Sequence, residues 1–149
     1  MDINLHIPAL LPDDYVPDVH LRLILYKRIS AAESPEQLRE LQVELIDRFG
    51  LLPDGARNLM RIAAIKKSAA RLGIEKIDAA DNGGYLVFGP NSRIDPIALV
   101  QLVQNDSRRF RLQGSHRLQI KDDLADLDKR FVTIENLMDC LTVKETKSA

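Results

Sequence analysis

The fold is decided by one stretch, SPEQLRELQVELIDRFG, which runs from Ser34 to Gly50. The Ser34 hydroxyl can accept a hydrogen bond from the backbone of Gln37, whose own side chain can bond back and close a capping box. Pro35 suits the first helical position, because an N–H would have no partner there. Gly50 suits the left-handed residue that ends many helices. The stretch therefore predicts a helix that begins after Ser34 and ends at Gly50.

This helix has two faces, because successive residues rotate by about 100° around its axis. The apolar face is expected in the core and contains Leu38, Leu41, Leu45 and Phe49. The opposite face is an acidic ridge, which consists of Glu36, Glu40, Glu44 and Asp47. Val43 lies among these acids, and we expect Arg39 and Arg48 to lie off the ridge. Acids around an exposed apolar residue suit docking onto a partner's arginines, although an ordinary solvated face has a similar pattern.

Two further helices are predicted on either side of this one. Asp18 can cap a helix that runs to about Ala32. Its apolar residues recur at helical spacing, at Leu21, Ile24, Leu25 and Ile29. Asp54 begins a third helix, for which Gly73 is the left-handed terminal residue. The first half of the chain is therefore predicted to be mainly helical.

Strand patterns flank these helices. Ile3–Ile7 alternates apolar and polar residues, which predicts a strand that points His6 away from the core. A hairpin is expected between 74–77 and 85–88, with its turn at Asn82-Gly83-Gly84. A second hairpin is expected between 110–112 and 118–120, with its turn at Gly114-Ser115. The predicted secondary structure therefore changes from mainly helices to mainly strands after Gly73.

Two more helices accompany the hairpins. Asp95 and Pro96 start a short helix that continues to about Gln104. The last helix carries one apolar stripe, at Leu124, Leu127, Phe131, Ile134, Met138 and Leu141. The order of elements predicts an α+β fold: a helical N-terminal half packed with a small, mainly antiparallel sheet of two hairpins, closed by a long C-terminal helix. We expect one domain over residues 1–143 and a frayed tail at 144–149.

Composition limits the classes of function. The 149 residues include 21 basic and 22 acidic side chains, so the net charge is -1 and attracts no nucleic acid by itself. Neither a signal peptide nor an apolar run of about 20 residues is present, which predicts a cytoplasmic protein with no membrane contact. The lone Cys140 excludes an internal disulfide and is expected to be a small core residue.

The sequence contains no recognisable motif for a metal site, a nucleotide-binding loop or a catalytic site. The three histidines, His6, His20 and His116, fall in different elements and share no spacing typical of metal ligands. No glycine-rich phosphate loop is followed by Gly-Lys-Ser/Thr. Asp13 and Asp14 are adjacent carboxylates, which a proline-flanked turn explains. We therefore expect no cofactor, no metal and no enzymatic activity in this chain.

The third predicted helix offers an alternative site. It is rich in basic residues, namely Arg57, Arg61, Lys66, Lys67 and Arg71. Arg57 and Arg61 are the candidates for contact with DNA or with RNA polymerase. The helix has no aromatic side chain for stacking on bases, which favours a structural role.

Three segments carry a resemblance to a known family. They are LLPDDYVPDV at 10–19, LYKRI at 25–29 and VELIDRFGLLPD at 43–54. Together they closely resemble the C-terminal domain of the transcription-repair coupling factor family, Mfd. A weaker resemblance continues to the final helix, so it covers nearly the whole chain.

The resemblance implies a function for the longer parent protein and a role for this part of it. The parent would be an ATP-dependent translocase on double-stranded DNA that displaces stalled RNA polymerase and recruits UvrA through a UvrB-like module. The C-terminal domain would be a non-catalytic, autoinhibitory module that docks on the UvrB-like module and masks the UvrA-binding surface. Glu44 and Asp47 match the family's contacting helix, and the surface pattern adds Glu40 and Val43 to the expected site.

Overall fold

The computed structural model describes residues 2–144. Within this range the elements follow the order β1 (Asp2–Asn4), α1 (Val19–Ala31), α2 (Pro35–Phe49), α3 (Asp54–Leu72), β2 (Ile74–Ala80), β3 (Gly83–Phe88), α4 (Pro96–Asn105), β4 (Phe110–Gln113), β5 (Arg117–Lys121) and α5 (Leu127–Leu141). The predicted α+β class is confirmed. Most of the predicted tail, residues 145–149, lies outside the described residues.

The chain divides into two compact units. The helical unit is Ile7–Lys67, and the sheet unit joins the stretch up to His6 with the stretch from Ser68 onward. The expectation of one domain over residues 1–143 stays a prediction.

The helix starts of the helical unit follow the predicted capping. The Asp18 carboxylate accepts hydrogen bonds from the backbone of His20 at 2.9 Å and of Leu21 at 3.3 Å. The Ser34 hydroxyl accepts a bond from the backbone of Gln37 at 3.2 Å. The Gln37 side chain bonds one residue further back than expected, to the N–H of Glu33 at 2.6 Å. Local capping groups therefore set the starts of α1 and α2.

The core of the helical unit consists of two clusters of buried side chains. One contains Leu11, Val16, Leu25, Leu45, Leu52 and Ala56, and the other contains Ile29, Ala32, Leu38, Leu41, Met60 and Ala63. Ile24 shares the helical spacing of Leu25 and Ile29 but is 46% exposed. Helix α1 carries apolar residues on all sides, for example Val19 and Leu23, so periodicity alone did not define its inner face.

The sheet unit contains one five-stranded sheet in the order β1-β2-β3-β5-β4. Strand β1 is parallel to β2, and the other neighbours are antiparallel, so the two hairpins join through β3 and β5. The first strand is shorter than predicted and ends at Asn4. His6 has a φ angle of 53°, which turns the chain away from the sheet, and its side chain is exposed as expected.

The predicted turn of the first hairpin is misplaced. The turn residues are Asp81 and Asn82, whereas Gly83 and Gly84 belong to β3. A Cβ atom on Gly84 would lie 1.8 Å from the carbonyl oxygen of Asp78. The glycines are needed because neighbouring backbones approach them closely.

Helix α5 buries most of the predicted stripe, including Phe131, Ile134, Met138 and Leu141. Two expectations are wrong: Leu127 is 41% exposed, and Cys140 is only half-buried. Leu127 is the first residue of the helix, whereas the preceding stripe residue, Leu124, lies before the helix and is 0% exposed. No sequence pattern indicated the burial of Arg130, which is 2% exposed and lies on the same helix as these core residues.

Candidate protein-interaction site

The acidic ridge lies on the solvent side of α2. Glu40 and Asp47 are exposed, and Val43 between them is 57% exposed. The opposite face buries Leu38, Leu41 and Leu45. The two predicted faces of α2 therefore exist, and more than half of the surface of Val43, the apolar residue of the ridge, is exposed.

Glu44 is already bound within the helical unit. Arg28 of α1 donates to both of its carboxylate oxygens, from Nη1 at 2.5 Å and from Nη2 at 2.9 Å. Arg48 adds a longer contact at 3.4 Å. The expectation that Arg48 lies off the ridge is therefore wrong, since residues i and i+4 are neighbours on a helix. Arg39 likewise contacts a ridge acid, Glu36, at 3.2 Å.

The pair with Arg28 favours the ionised form of Glu44. The hydrogen bond from Arg28, reinforced by Arg48, lowers the pKa of the Glu44 carboxyl below its usual value. The same bond raises the pKa of Arg28. Glu44 is therefore a firmly ionised and oriented carboxylate whose side chain is still 36% exposed.

The other two candidate acids differ from Glu44. Among residues 2–144, neither Glu40 nor Asp47 makes a side-chain hydrogen bond or ion pair. A groove of about 410 Å³ runs beside the ridge, and its lining includes Ala31, Ala32 and Leu41 together with Glu40 and the paired side chains of Glu44 and Arg28. An arginine could lay its apolar stem in such a groove and direct its guanidinium to the acids.

Several basic side chains of the alternative site on α3 already have partners within the chain. Arg57 contacts Asp54 one turn earlier, and Arg61 is also engaged by a neighbouring group. Lys67 donates to the carbonyl of Ser30 at 2.7 Å. Contact of Arg57 and Arg61 with DNA or RNA polymerase stays a prediction.

Neither a cluster of metal ligands nor a membrane-spanning helix is found in the described part of the chain. No three His, Cys, Asp or Glu side chains there converge as a metal site would require. None of its helices combines the length and the apolar character that crossing a bilayer demands.

Comparison with known proteins identifies relatives over most of the chain. The family model of the TRCF domain matches residues 5–99. The transcription-repair-coupling factor of Escherichia coli K12 is 42% identical over 92% of this chain, and that of Haemophilus influenzae is 43% identical over the same share. In both cases the chain covers 12% of the relative, so it spans about an eighth of their length.

The fold also has a solved counterpart. A crystal structure of the C-terminal domain of a transcription-repair coupling factor matches with a TM-score of 0.72 and 24% identity. The match covers 93% of this chain and 92% of that one. At this identity it supports the fold, and the sequence matches establish the relationship. The chain belongs to the transcription-repair coupling factor family, whose TRCF domain it contains.

Proposed function

We propose that this chain is a non-catalytic, autoinhibitory domain that docks its acidic ridge on the UvrB-like module of a longer parent and masks the UvrA-binding surface. The parent would be an ATP-dependent translocase on double-stranded DNA that displaces stalled RNA polymerase and recruits excision repair. The observation that carries the docking proposal is the exposure of Val43 between Glu40 and Asp47, two acids without a counter-charge in residues 2–144. This arrangement fits a partner surface with arginines around an apolar patch.

The internal contacts of Glu44 predict that the acids of the ridge contribute unequally to docking. A carboxylate has about four lone-pair positions, and Arg28 occupies one on each oxygen. A partner arginine can therefore share Glu44 without displacing Arg28. Asp47 has all its positions available, so we expect Asp47 to contribute more to docking than Glu44.

The strength of such docking depends on desolvation. An exposed ion pair contributes about 0.2–1 kcal/mol, whereas close charge pairs in an interface couple by about 1.5–7 kcal/mol. Both modules would belong to one parent chain, so the effective concentration can reach the millimolar range. We call the docked arrangement the closed latch. Keeping the latch closed in 99% of the molecules requires a docking free energy of about 2.7 kcal/mol, half of what is needed to move the equilibrium from 1:99 to 99:1. A few interfacial contacts suffice for a latch of this kind.

The test uses the full-length protein and avoids Glu44, whose reversal would leave Arg28 unpaired within the domain. Glu40→Lys combined with Asp47→Lys should open the latch and raise the affinity for UvrA about tenfold or more, as expected for a loss of at least ~1.4 kcal/mol. The matched control is Glu75→Lys with Asp139→Lys, which changes the net charge equally on exposed acids of the sheet unit. UvrA binding is measured by surface plasmon resonance. Equal affinities for the two double variants would rule out docking through the ridge.

A further inference from the structure

The outward face of the sheet carries a second charged surface. Leu86, Leu118 and Ile120 point to the buried side, and the alternate residues of β3, β5 and β4 point outward. Two rows cross these strands: Tyr85, Gln119 and Arg111 form one, and Val87, Arg117 and Gln113 form the next. We define the basic sheet face as Tyr85, Arg108, Arg111, Arg117, Gln119 and Lys121.

Three cations of this face have no acidic partner in the described part of the chain. Strands β3, β4 and β5 contain no acidic residue. Arg108, Arg111 and Lys121 are exposed, and none of them forms an ion pair within residues 2–144. Arg109 differs, because Asp106 and Asp122 each hold its guanidinium at 3.0 Å. Three uncompensated cations therefore stand around one end of the sheet.

A hollow of about 490 Å³ lies among these cations. Its lining includes Arg108, Arg111, Lys121 and the side chain of Gln119. A hollow with several guanidinium and ammonium donors and no carboxylate on its lining suits the oxygens of phosphate groups.

An aromatic side chain lies beside the cations. The guanidinium of Arg117 stacks on the ring of Tyr85, with its carbon 3.8 Å from the ring centroid. The ammonium of Lys76 lies 5.5 Å from the same centroid. Arg117 is an exposed residue. An unpaired base can stack on an arginine plane of this kind.

We propose that the basic sheet face binds single-stranded nucleic acid, with phosphates at Arg108, Arg111 and Lys121 and a base stacked on the Arg117–Tyr85 pair. In a duplex the bases are stacked on one another and would not reach Arg117. An acidic peptide would satisfy the cations but has no base to stack. The proposal concerns the sheet unit and does not depend on the acidic ridge of α2.

The first test measures binding of the whole 149-residue chain to fluorescent oligothymidylate by anisotropy. A probe of about 12 nucleotides matches the known site sizes of single-strand platforms. Three phosphate contacts predict that log K falls against log salt with a slope of about −2, measured between about 50 and 200 mM salt. No binding at the lower salt concentration would overturn the proposal.

Charge reversal locates the contact. The variant with Arg108→Glu, Arg111→Glu and Lys121→Glu should lose at least about tenfold in affinity, because the phosphate contacts supply most of it. The matched control is Lys27→Glu, Arg93→Glu and Lys144→Glu, which changes the net charge equally on exposed residues outside both the basic sheet face and α3. An equal loss in both variants would mean that only total charge matters, and would contradict the proposal.

A conservative variant tests the stacking. Arg117→Lys keeps the charge but removes the flat guanidinium, and it should weaken oligothymidylate binding by about fivefold or more. Unchanged affinity would rule out base stacking at this position. Duplex DNA of the same length and polyglutamate should both compete less well than unlabelled oligothymidylate. Equal competition by the duplex or by polyglutamate would overturn the proposal in favour of that polyanion. Thermal melting confirms that each variant is folded.

Discussion

The guanidinium of Arg130 lies 2.5 Å from the carboxylate of Asp81 and so joins α5 to the turn of the first hairpin. Arg130 also donates to the carbonyl oxygens of Leu124 at 2.9 Å and of Leu5 at 3.0 Å. One buried cation thus satisfies groups from three separate segments of the sheet unit. These hydrogen bonds and the ion pair with Asp81 explain how a charged side chain can be 2% exposed.

Arg130→Ala should lower the free energy of unfolding by about 3 kcal/mol or more. The variant leaves buried carbonyl oxygens without donors, each at a cost of about 1–3 kcal/mol. The measurement is urea denaturation followed by circular dichroism. Arg93→Ala is the control: this exposed arginine has no such network, and its loss should change stability by less than about 0.5 kcal/mol. Equal midpoints for the two variants would contradict the assigned role of Arg130.

Gly84→Ala should prevent stable formation of the sheet. The added Cβ would meet the carbonyl of Asp78 at 1.8 Å, and a neighbouring strand's backbone cannot move aside without breaking the pairing of β2 and β3. Gly114→Ala is the comparison, since its φ of 68° costs about 1 kcal/mol but its Cβ would meet no atom within 4 Å. Thermal melting should show a far larger loss for Gly84→Ala, and similar melting temperatures would refute this explanation of the glycine.

The features that sequence predicted well are those with local causes. Asp18, Ser34 and Asp95 cap their helices through backbone groups two or three residues away, so each start could be read from the neighbouring residues. Gly83 and Gly84 were misassigned to a turn because the atoms that exclude a side chain there come from the paired strands, Ile120 of β5 for Gly83 and Asp78 of β2 for Gly84, and residue spacing does not report these approaches.

The same reasoning applies to the candidate site. The outward position of Asp47 and Val43 follows from helical period alone. The bond from Arg28 to Glu44 does not, because it joins two helices across 16 residues of chain. The spacing of residues within one helix cannot predict a contact between two helices. The contact of Arg48 with Glu44 could have been predicted, because the two residues are four positions apart on α2.

Glu44 should contribute to stability in a pH-dependent way. Its folded-state pKa is lowered below the ordinary value of 4.5, first through the hydrogen bond from Arg28. The ionised form is therefore favoured in the folded state, and the gain is present above the unfolded-state pKa and lost as pH falls through the folded-state pKa. The difference in unfolding free energy between the wild type and Arg28→Gln should be largest near neutral pH and should disappear in acid.

A titration of the Glu44 side-chain carbon by NMR checks this assignment directly. The midpoint should rise toward the ordinary value in Arg28→Gln. Arg39→Gln serves as the control, because Arg39 contacts Glu36 and not Glu44. If the titration midpoint of Glu44 is unchanged in Arg28→Gln, or shifts equally in Arg39→Gln, then the pair of Arg28 and Glu44 does not lower the pKa of Glu44.

Val43→Ser separates docking from folding. At 57% exposure Val43 adds little to the domain's own core, so the variant should keep the free energy of unfolding within about 0.5 kcal/mol of wild type. Full burial of a side chain such as Val43 provides ~1.5–3 kcal/mol. If the UvrB-like module covers Val43, the variant loses part of this free energy of docking, and the ratio of open to closed molecules rises about tenfold. The measurement is UvrA binding by the full-length protein, with Val100→Ser as a control, since Val100 is similarly exposed at 48% but lies in the sheet unit on α4. Equal UvrA binding by the two variants would mean that the partner does not cover Val43, because an apolar side chain that stays in water contributes nothing to closure.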